Sequence, residues 1–219
     1  MKQTVATPTT RFGNGRADSH NGIGVGGDGN GEAAFPVPLP LNRPVIGLLI
    51  FIATELMFFA GLISAYLILK AGAMDWPPPG QPRLPVEVTA LNTLVLLFSG
   101  FTMYRARKLS EAGSPAFLKW LTLTGALGTL FLLIQGNEWV RLVQYGLTLS
   151  SSLYGATFYT LIGAHGVHVL IAVVALLFVL GKALAGGYRE DQTGVVLCQI
   201  YWFFVVGIWP VLYLLVYFN

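Results

Sequence analysis

The residues best able to do chemistry in this sequence lie inside long apolar segments. Glu55 is near the centre of an apolar run from Val45 to Leu69, and His165 and His168 are three residues apart in another run. A carboxylate at the centre of a bilayer costs about 2.5–3.5 kcal/mol on insertion scales, so the Glu55 side chain is expected to face protein or water. Residues three apart in a helix share a face, so both histidines could reach the same neighbour.

Ligation of a metal or a haem is one use of these side chains, but the sequence does not favour it. A metal would need Glu55, His165 and His168 from two helices, and these three ligands do not close a site on their own. A haem held by two histidines needs them on opposite sides, and the only other histidine is His20 in the N-terminal segment. The single cysteine, Cys198, excludes an internal disulfide and a cysteine-cluster metal site. We therefore expect no metal, no cofactor and no catalytic residue in this chain. A histidine pair that only fills the core is an equally good interpretation.

The remaining polar side chains within apolar runs are few. Asn92, Ser99 and Thr102 in the second run are typical of hydrogen bonds between membrane helices. Gln135 and Glu138 lie near the outer end of the third run and are also expected at helix contacts, although Glu138 could instead extend to the lipid headgroups. The spans lack the rows of polar groups and the matched helix interruptions that a transport pathway needs.

The composition explains why these polar residues are exceptional. Hydrophobic residues make up 54% of the 219 residues and charged ones only 11%, whereas a soluble domain carries about 25% charged residues. The mean hydropathy is +0.66. The sequence therefore indicates an integral membrane protein. Its net charge of +3 is too small, and too concentrated in loops, to indicate a nucleic-acid partner.

Five apolar segments predict an all-α integral membrane protein with five transmembrane helices. Their expected bounds are residues 45–70, 86–108, 116–141, 153–184 and 195–218, within a transmembrane domain of residues 44–219. Segments rich in glycine and proline separate them. Residues 1–43 form a Gly/Pro-rich extension that lacks the apolar area to fold alone, so we expect partner subunits to order it.

The distribution of lysine and arginine predicts the orientation. With the N-terminus in the cytoplasm, most basic residues lie in cytoplasmic segments, and only Lys70, Arg83 and Arg141 lie outside. The C-terminus is then external. Three tryptophans fall towards the outer ends of their segments, as an interfacial aromatic belt would: Trp76, Trp139 and Trp209.

Four motifs, one in each of the first four predicted helices, resemble subunit III of haem-copper respiratory terminal oxidases, the cytochrome c and quinol oxidases. In chain order they are Ala-Thr-Glu-Leu-Met-Phe-Phe at 53–59, Leu-Asn-Thr … Ser-Gly-Phe-Thr at 91–102, Phe-Leu-Leu-Ile-Gln-Gly-Asn-Glu-Trp at 131–139 and Gly-Ala-His-Gly-Val-His-Val at 163–169. Together the four motifs are specific for that family, and five helices match its bacterial form. The last segment departs from typical members, because Tyr201 to Trp209 lacks the histidine and the aspartate that they carry there.

The resemblance implies a supporting role in aerobic respiration. Members of that family hold no haem or copper, which belong to partner subunits. They pack directly against subunit I, in a complex with subunit II and in some cases a small subunit IV or a larger respiratory supercomplex. They bind phospholipid between their helices and support proton uptake by the catalytic subunit. The implied location is the bacterial plasma membrane. The alternatives are an accessory subunit of a nitric oxide reductase, a stand-alone transporter and a haem-binding electron carrier.

The resemblance also suggests where the polar residues should lie. Glu55 is expected to pair with His165 or His168 across the first and fourth helices, in a proton-linked or structural role. The first two helices are expected to splay from the last three and to leave a lipid-filled cleft. Candidate ligands for the lipid headgroups are Arg43, Arg105, Arg107 and Lys108.

Overall fold

The computed structural model describes residues 43–81, 84–187 and 192–218. Residues 1–42, which make up nearly all of the predicted N-terminal extension, lie outside the described residues. The described part contains five α-helices: α1 (Arg43–Ala71), α2 (Val86–Glu111), α3 (Ala116–Gln144), α4 (Leu153–Leu184) and α5 (Thr193–Tyr217). All five are long and apolar enough to cross a membrane, which confirms the predicted fold class of a five-helix membrane protein.

The helix ends follow from local sequence. Gly113 and Gly146 lie two residues beyond the ends of α2 and α3, with φ angles of +63° and +88°. Glycine adopts this left-handed conformation without steric cost and so ends a helix sharply. Ser152 is the N-cap of α4, because its Oγ accepts a hydrogen bond from the backbone N–H of Gly155 at 3.1 Å. The resulting connections are short, so α2, α3 and α4 follow one another as antiparallel neighbours.

Helices α2 to α5 form a four-helix bundle. α2 packs against α3 and α5, and α4 packs against the same two helices. Large aromatic side chains fill the space between them, and those of Phe131, Phe158, Trp202 and Trp209 are fully buried. Gly128 of α3 lies against the Trp202 ring, so the missing side chain of this glycine makes room for the indole.

Polar side chains join α2 to α3 inside the bundle. The Asn92 amide donates to the backbone carbonyl of Phe131 at 3.2 Å. The hydroxyls of Thr102 and Thr124 lie 2.8 Å apart and share a hydrogen bond. Asn92 and Thr102 are both buried, so these bonds give partners to polar groups in the interior of the bundle.

Two indole N–H groups join α5 to α2. Trp202 donates to Ser99 Oγ at 3.2 Å, and Trp209 donates to Thr93 Oγ1 at 2.9 Å. The expectation that Trp209 lies in an interfacial belt is therefore wrong, because its side chain is completely buried in the bundle. Its hydrogen bond to a hydroxyl of α2 allows an indole to be buried without an unpaired donor.

Helix α1 lies outside this bundle, against α4 and α5. Only Val45, Phe59 and Tyr66 of its side chains are buried. No Cα atom of α1 comes within 8 Å of a Cα atom of α2, so these two helices do not pack against each other. The prediction that the first two helices splay together from the last three is wrong, because α2 is part of the bundle and α1 alone lies at its edge.

Candidate functional site

Glu55 and His168 form a hydrogen-bonded pair between α1 and α4. Glu55 Oε2 lies 2.8 Å from His168 Nε2, and the two side chains are only 18% and 14% exposed. The other ring nitrogen, His168 Nδ1, lies 2.7 Å from the backbone carbonyl oxygen of Ala164, one turn earlier in α4. The pair thus gives the carboxylate of α1 a partner within the membrane, which removes the cost of an isolated charge.

The geometry places one proton in the bond between the two side chains. A carbonyl oxygen can only accept, so His168 Nδ1 must carry a hydrogen and donate it to Ala164. At 2.8 Å, Nε2 and the Glu55 carboxyl group also need a hydrogen between them. That hydrogen belongs either to a carboxylic acid facing a neutral imidazole or to an imidazolium facing a carboxylate. The pair is neutral overall in both forms, and the proton can move between them without adding net charge to the membrane.

Aromatic side chains of α1 hold the imidazole in place. The ring of Phe59 meets the His168 ring edge-on with centroids 5.1 Å apart, and the ring of Phe58 stacks on it at 6.1 Å. Phe59 is 1% exposed. A second hydrogen bond joins α1 to α5 three turns further along α1. There the Tyr66 hydroxyl donates to the backbone carbonyl of Leu215 at 3.1 Å. Helix α1 is therefore attached at two levels.

His165 occupies a different environment from His168. Its ring stacks on Trp209 with centroids 4.9 Å apart and meets the edge of Phe131 at 6.2 Å. It is 1% exposed and lies inside the four-helix bundle. The structure therefore brings Glu55 together with His168 and not with His165. Within the described ranges, no group of three histidine, cysteine, aspartate or glutamate side chains lies close enough to hold a metal ion.

Gln135 and Glu138 lie on the buried face of α3 towards its C-terminal end. The Gln135 amide donates to the Tyr217 hydroxyl at 3.3 Å. Glu138 is 5% exposed and accepts from the more exposed Arg141 at 3.4 Å. Glu138 therefore faces the bundle rather than extending away from it, and Arg141 supplies the opposite charge that a buried carboxylate needs.

Comparison with known proteins identifies the family of the chain. The family model described as cytochrome c oxidase subunit III matches residues 27–219, which is most of the chain. The chain belongs to the cytochrome c oxidase subunit III family. The match includes all five helices and the four motifs.

Relatives in the subunit III family come from several bacterial groups. The chain is 36% identical to cytochrome c oxidase subunit 3 of Synechocystis sp., over 78% of this chain and 73% of the relative. It is 35% identical to cytochrome c oxidase subunit 3 of Thermostichus vulcanus, over 79% and 86%. It is 36% identical to a probable cytochrome c oxidase subunit 3 of Mycobacterium leprae, over 81% and 90%. The suspected family is thereby confirmed.

The four basic candidates for lipid headgroups in this subunit III chain differ in their surroundings. Arg107 forms an ion pair with Glu111 at 3.0 Å and donates to Gln192 Oε1 at 2.9 Å. Lys108 lies 3.6 Å from the same Glu111. Arg105 lies over the ring of Trp120, 5.6 Å from its centroid, and Arg43 is exposed at the start of α1. Arg107 is thus engaged within the protein.

Gln192 is a structural residue that the sequence did not single out. Its carbonyl oxygen accepts from Arg107, and its amide donates to the backbone carbonyl of Ser110 at 2.8 Å. It therefore joins the start of α5 to the last turn of α2. A polar residue just before the last helix is the only signal of this role, and many loop residues share it.

Proposed function

We propose that the chain is the non-catalytic subunit III of a haem-copper oxidase that reduces oxygen to water in aerobic respiration. In this role it contacts subunit I directly and belongs to a complex with subunit II and, in a larger assembly, a small subunit IV or a respiratory supercomplex. The haems and copper reside in those partners. The names of the relatives favour cytochrome c over quinol as the electron donor.

The observation that carries the proposal is the hydrogen bond between Glu55 and His168. A neutral pair that holds one proton within the membrane can exchange it with a neighbouring group without burying a net charge. To support proton uptake, such a pair needs a proton donor or acceptor in another subunit. This matches a subunit that supports proton uptake elsewhere and performs no redox chemistry itself.

Lipid and orientation complete the proposal. Phospholipid lies between α1 and α2, which do not pack against each other, and the outer face of α1 adds apolar surface for lipid or for subunit I. The N-terminus is cytoplasmic, which puts Arg43 and Arg105 at the headgroup level of the inner leaflet of a bacterial plasma membrane. The N-terminal extension, residues 1–43, contacts partner subunits.

Purification of the intact complex through a tag on this chain tests the proposal. Mass spectrometry is expected to find subunits I and II of a cytochrome c oxidase, and absorption spectra are expected to assign all haem to them. After dissociation, the isolated chain should show no Soret band. Co-purification with the catalytic subunit of a nitric oxide reductase, or a Soret band that stays with this chain, would contradict the proposal.

A further inference from the structure

The interior of the bundle contains polar atoms without a hydrogen-bond partner in the described part of the chain. Both ring nitrogens of His165 are buried without a hydrogen-bond partner among the described residues, and so is Oδ1 of Asn92. Each of the two side chains is 1% exposed. Buried polar groups in native proteins are almost always bound by protein or by ordered water, so these three atoms require an explanation.

The two side chains that carry the unbound atoms share Phe131 as a neighbour. Asn92 donates its amide hydrogen to the backbone of Phe131, which leaves Oδ1 as the unused acceptor. His165 stacks on Trp209 and meets the edge of Phe131. The rings of Phe131 and Trp209 are themselves 5.0 Å apart. Side chains of α2, α3, α4 and α5 therefore meet at one level of the bundle.

The chemistry of these atoms selects the occupant. A neutral imidazole offers one N–H donor and one acceptor nitrogen, and Oδ1 of Asn92 is an acceptor. Water is the small molecule that can both donate to two acceptors and accept from a donor. A metal ion would need further ligands, and no cluster of three metal-ligating side chains exists in the described part of the chain. We propose that the centre of the bundle is a water-binding site, in which ordered water binds His165 and Asn92.

Further polar side chains lie between the level of Phe131 and the C-terminal end of α3. Gln135, one turn beyond Phe131, binds the Tyr217 hydroxyl. Tyr217 also lies beside Thr89 and near Glu138, and Glu138 pairs with the half-exposed Arg141. In this proposal, water reaches the site from the solution along these buried polar side chains. His165 is three residues from His168, so the site brings water within one helical turn of the Glu55–His168 pair.

Radiolytic labelling of the intact purified oxidase tests the proposal. An X-ray pulse turns bound water into hydroxyl radicals, which oxidise the nearest side chains, and tandem mass spectrometry locates the oxidation. Trp209 and Trp202 are matched probes, since both are fully buried tryptophans of α5. The Trp209 ring stacks on His165, whereas the Trp202 indole is bound to Ser99. We expect Trp209 to be oxidised severalfold faster than Trp202, and to incorporate oxygen from isotopically labelled water.

Two variants connect the labelling to the proposed ligands. His165→Phe keeps an aromatic ring but removes both nitrogens, and Asn92→Leu removes the acceptor oxygen. Each is expected to lower the oxidation rate of Trp209 towards that of Trp202, and one folded variant suffices for the comparison. Equal oxidation of the two tryptophans in the wild-type oxidase would show a dry core and overturn the proposal. So would a Trp209 rate that is unchanged in a folded variant.

Discussion

A Gly128→Ala substitution is expected to destabilise the subunit strongly. A Cβ atom at Gly128 would overlap Cη2 of Trp202, and it would lie 2.9 Å from Cζ2 of the same ring and 3.2 Å from Cγ2 of Val173. The indole cannot turn away, because it is 1% exposed and bound to Ser99. Overpacking of this kind costs about 1–3 kcal/mol. Thermal release of the subunit from the purified oxidase measures the effect.

Gly136→Ala is the matched control on the same helix. A Cβ atom at Gly136 would meet nothing within 4 Å. Alanine is about 1 kcal/mol better than glycine in a helix interior, so this variant should be as stable as the wild type or more stable. Equal behaviour of the Gly128 and Gly136 variants would contradict the packing of α3 against α5 that we describe.

Breaking the Glu55–His168 pair is expected to loosen α1 from the bundle. Glu55→Leu leaves His168 Nε2 without a partner, and His168→Leu leaves the carboxyl group of Glu55 unbound. An unsatisfied buried polar group costs about 1–3 kcal/mol, whereas replacing both partners by apolar groups is nearly neutral. The double variant should therefore be much more stable than the sum of the two single effects predicts. Retention of the subunit by the complex in rising detergent concentration is the measurement.

The same experiment with His165 provides the comparison. His165 lies on α4 but points towards Trp209 and not towards Glu55. The effects of Glu55→Leu and His165→Leu should be nearly additive. A strong coupling of Glu55 to His165, with none to His168, would show that the carboxylate pairs with the other histidine.

The sequence could predict the five helices and the need for a partner of Glu55, but not the choice of partner. Apolar runs of membrane length and the breakers between them are local properties. Two histidines three residues apart in a helix point in directions about 60° apart, which is enough to send one to α1 and the other into the bundle. Only the positions of the neighbouring helices decide between them.

The arrangement of the helices also had to come from the structure. Hydropathy shows that α1 and α2 cross the membrane, but it does not reveal that α2 meets α3 and α5 while α1 lies at the edge. Trp209 shows the same limit, because the sequence around a tryptophan does not distinguish a place in an interfacial belt from a place in a core. Its hydrogen bond to Thr93 is a contact between residues far apart in sequence.

Activity of the intact oxidase during sustained turnover, with Glu55 replaced by glutamine, tests the central claim most directly. A glutamine amide can still donate to His168 Nε2 and fills the same volume, but unlike a carboxyl group it cannot take up or release a proton near neutral pH. We predict normal assembly and a normal initial rate, followed by faster loss of activity than in the wild type. The same substitution at the exposed Glu87 of α2 should leave durability unchanged. A Glu55→Gln oxidase that remains active as long as the wild type would contradict a proton-linked role for the pair.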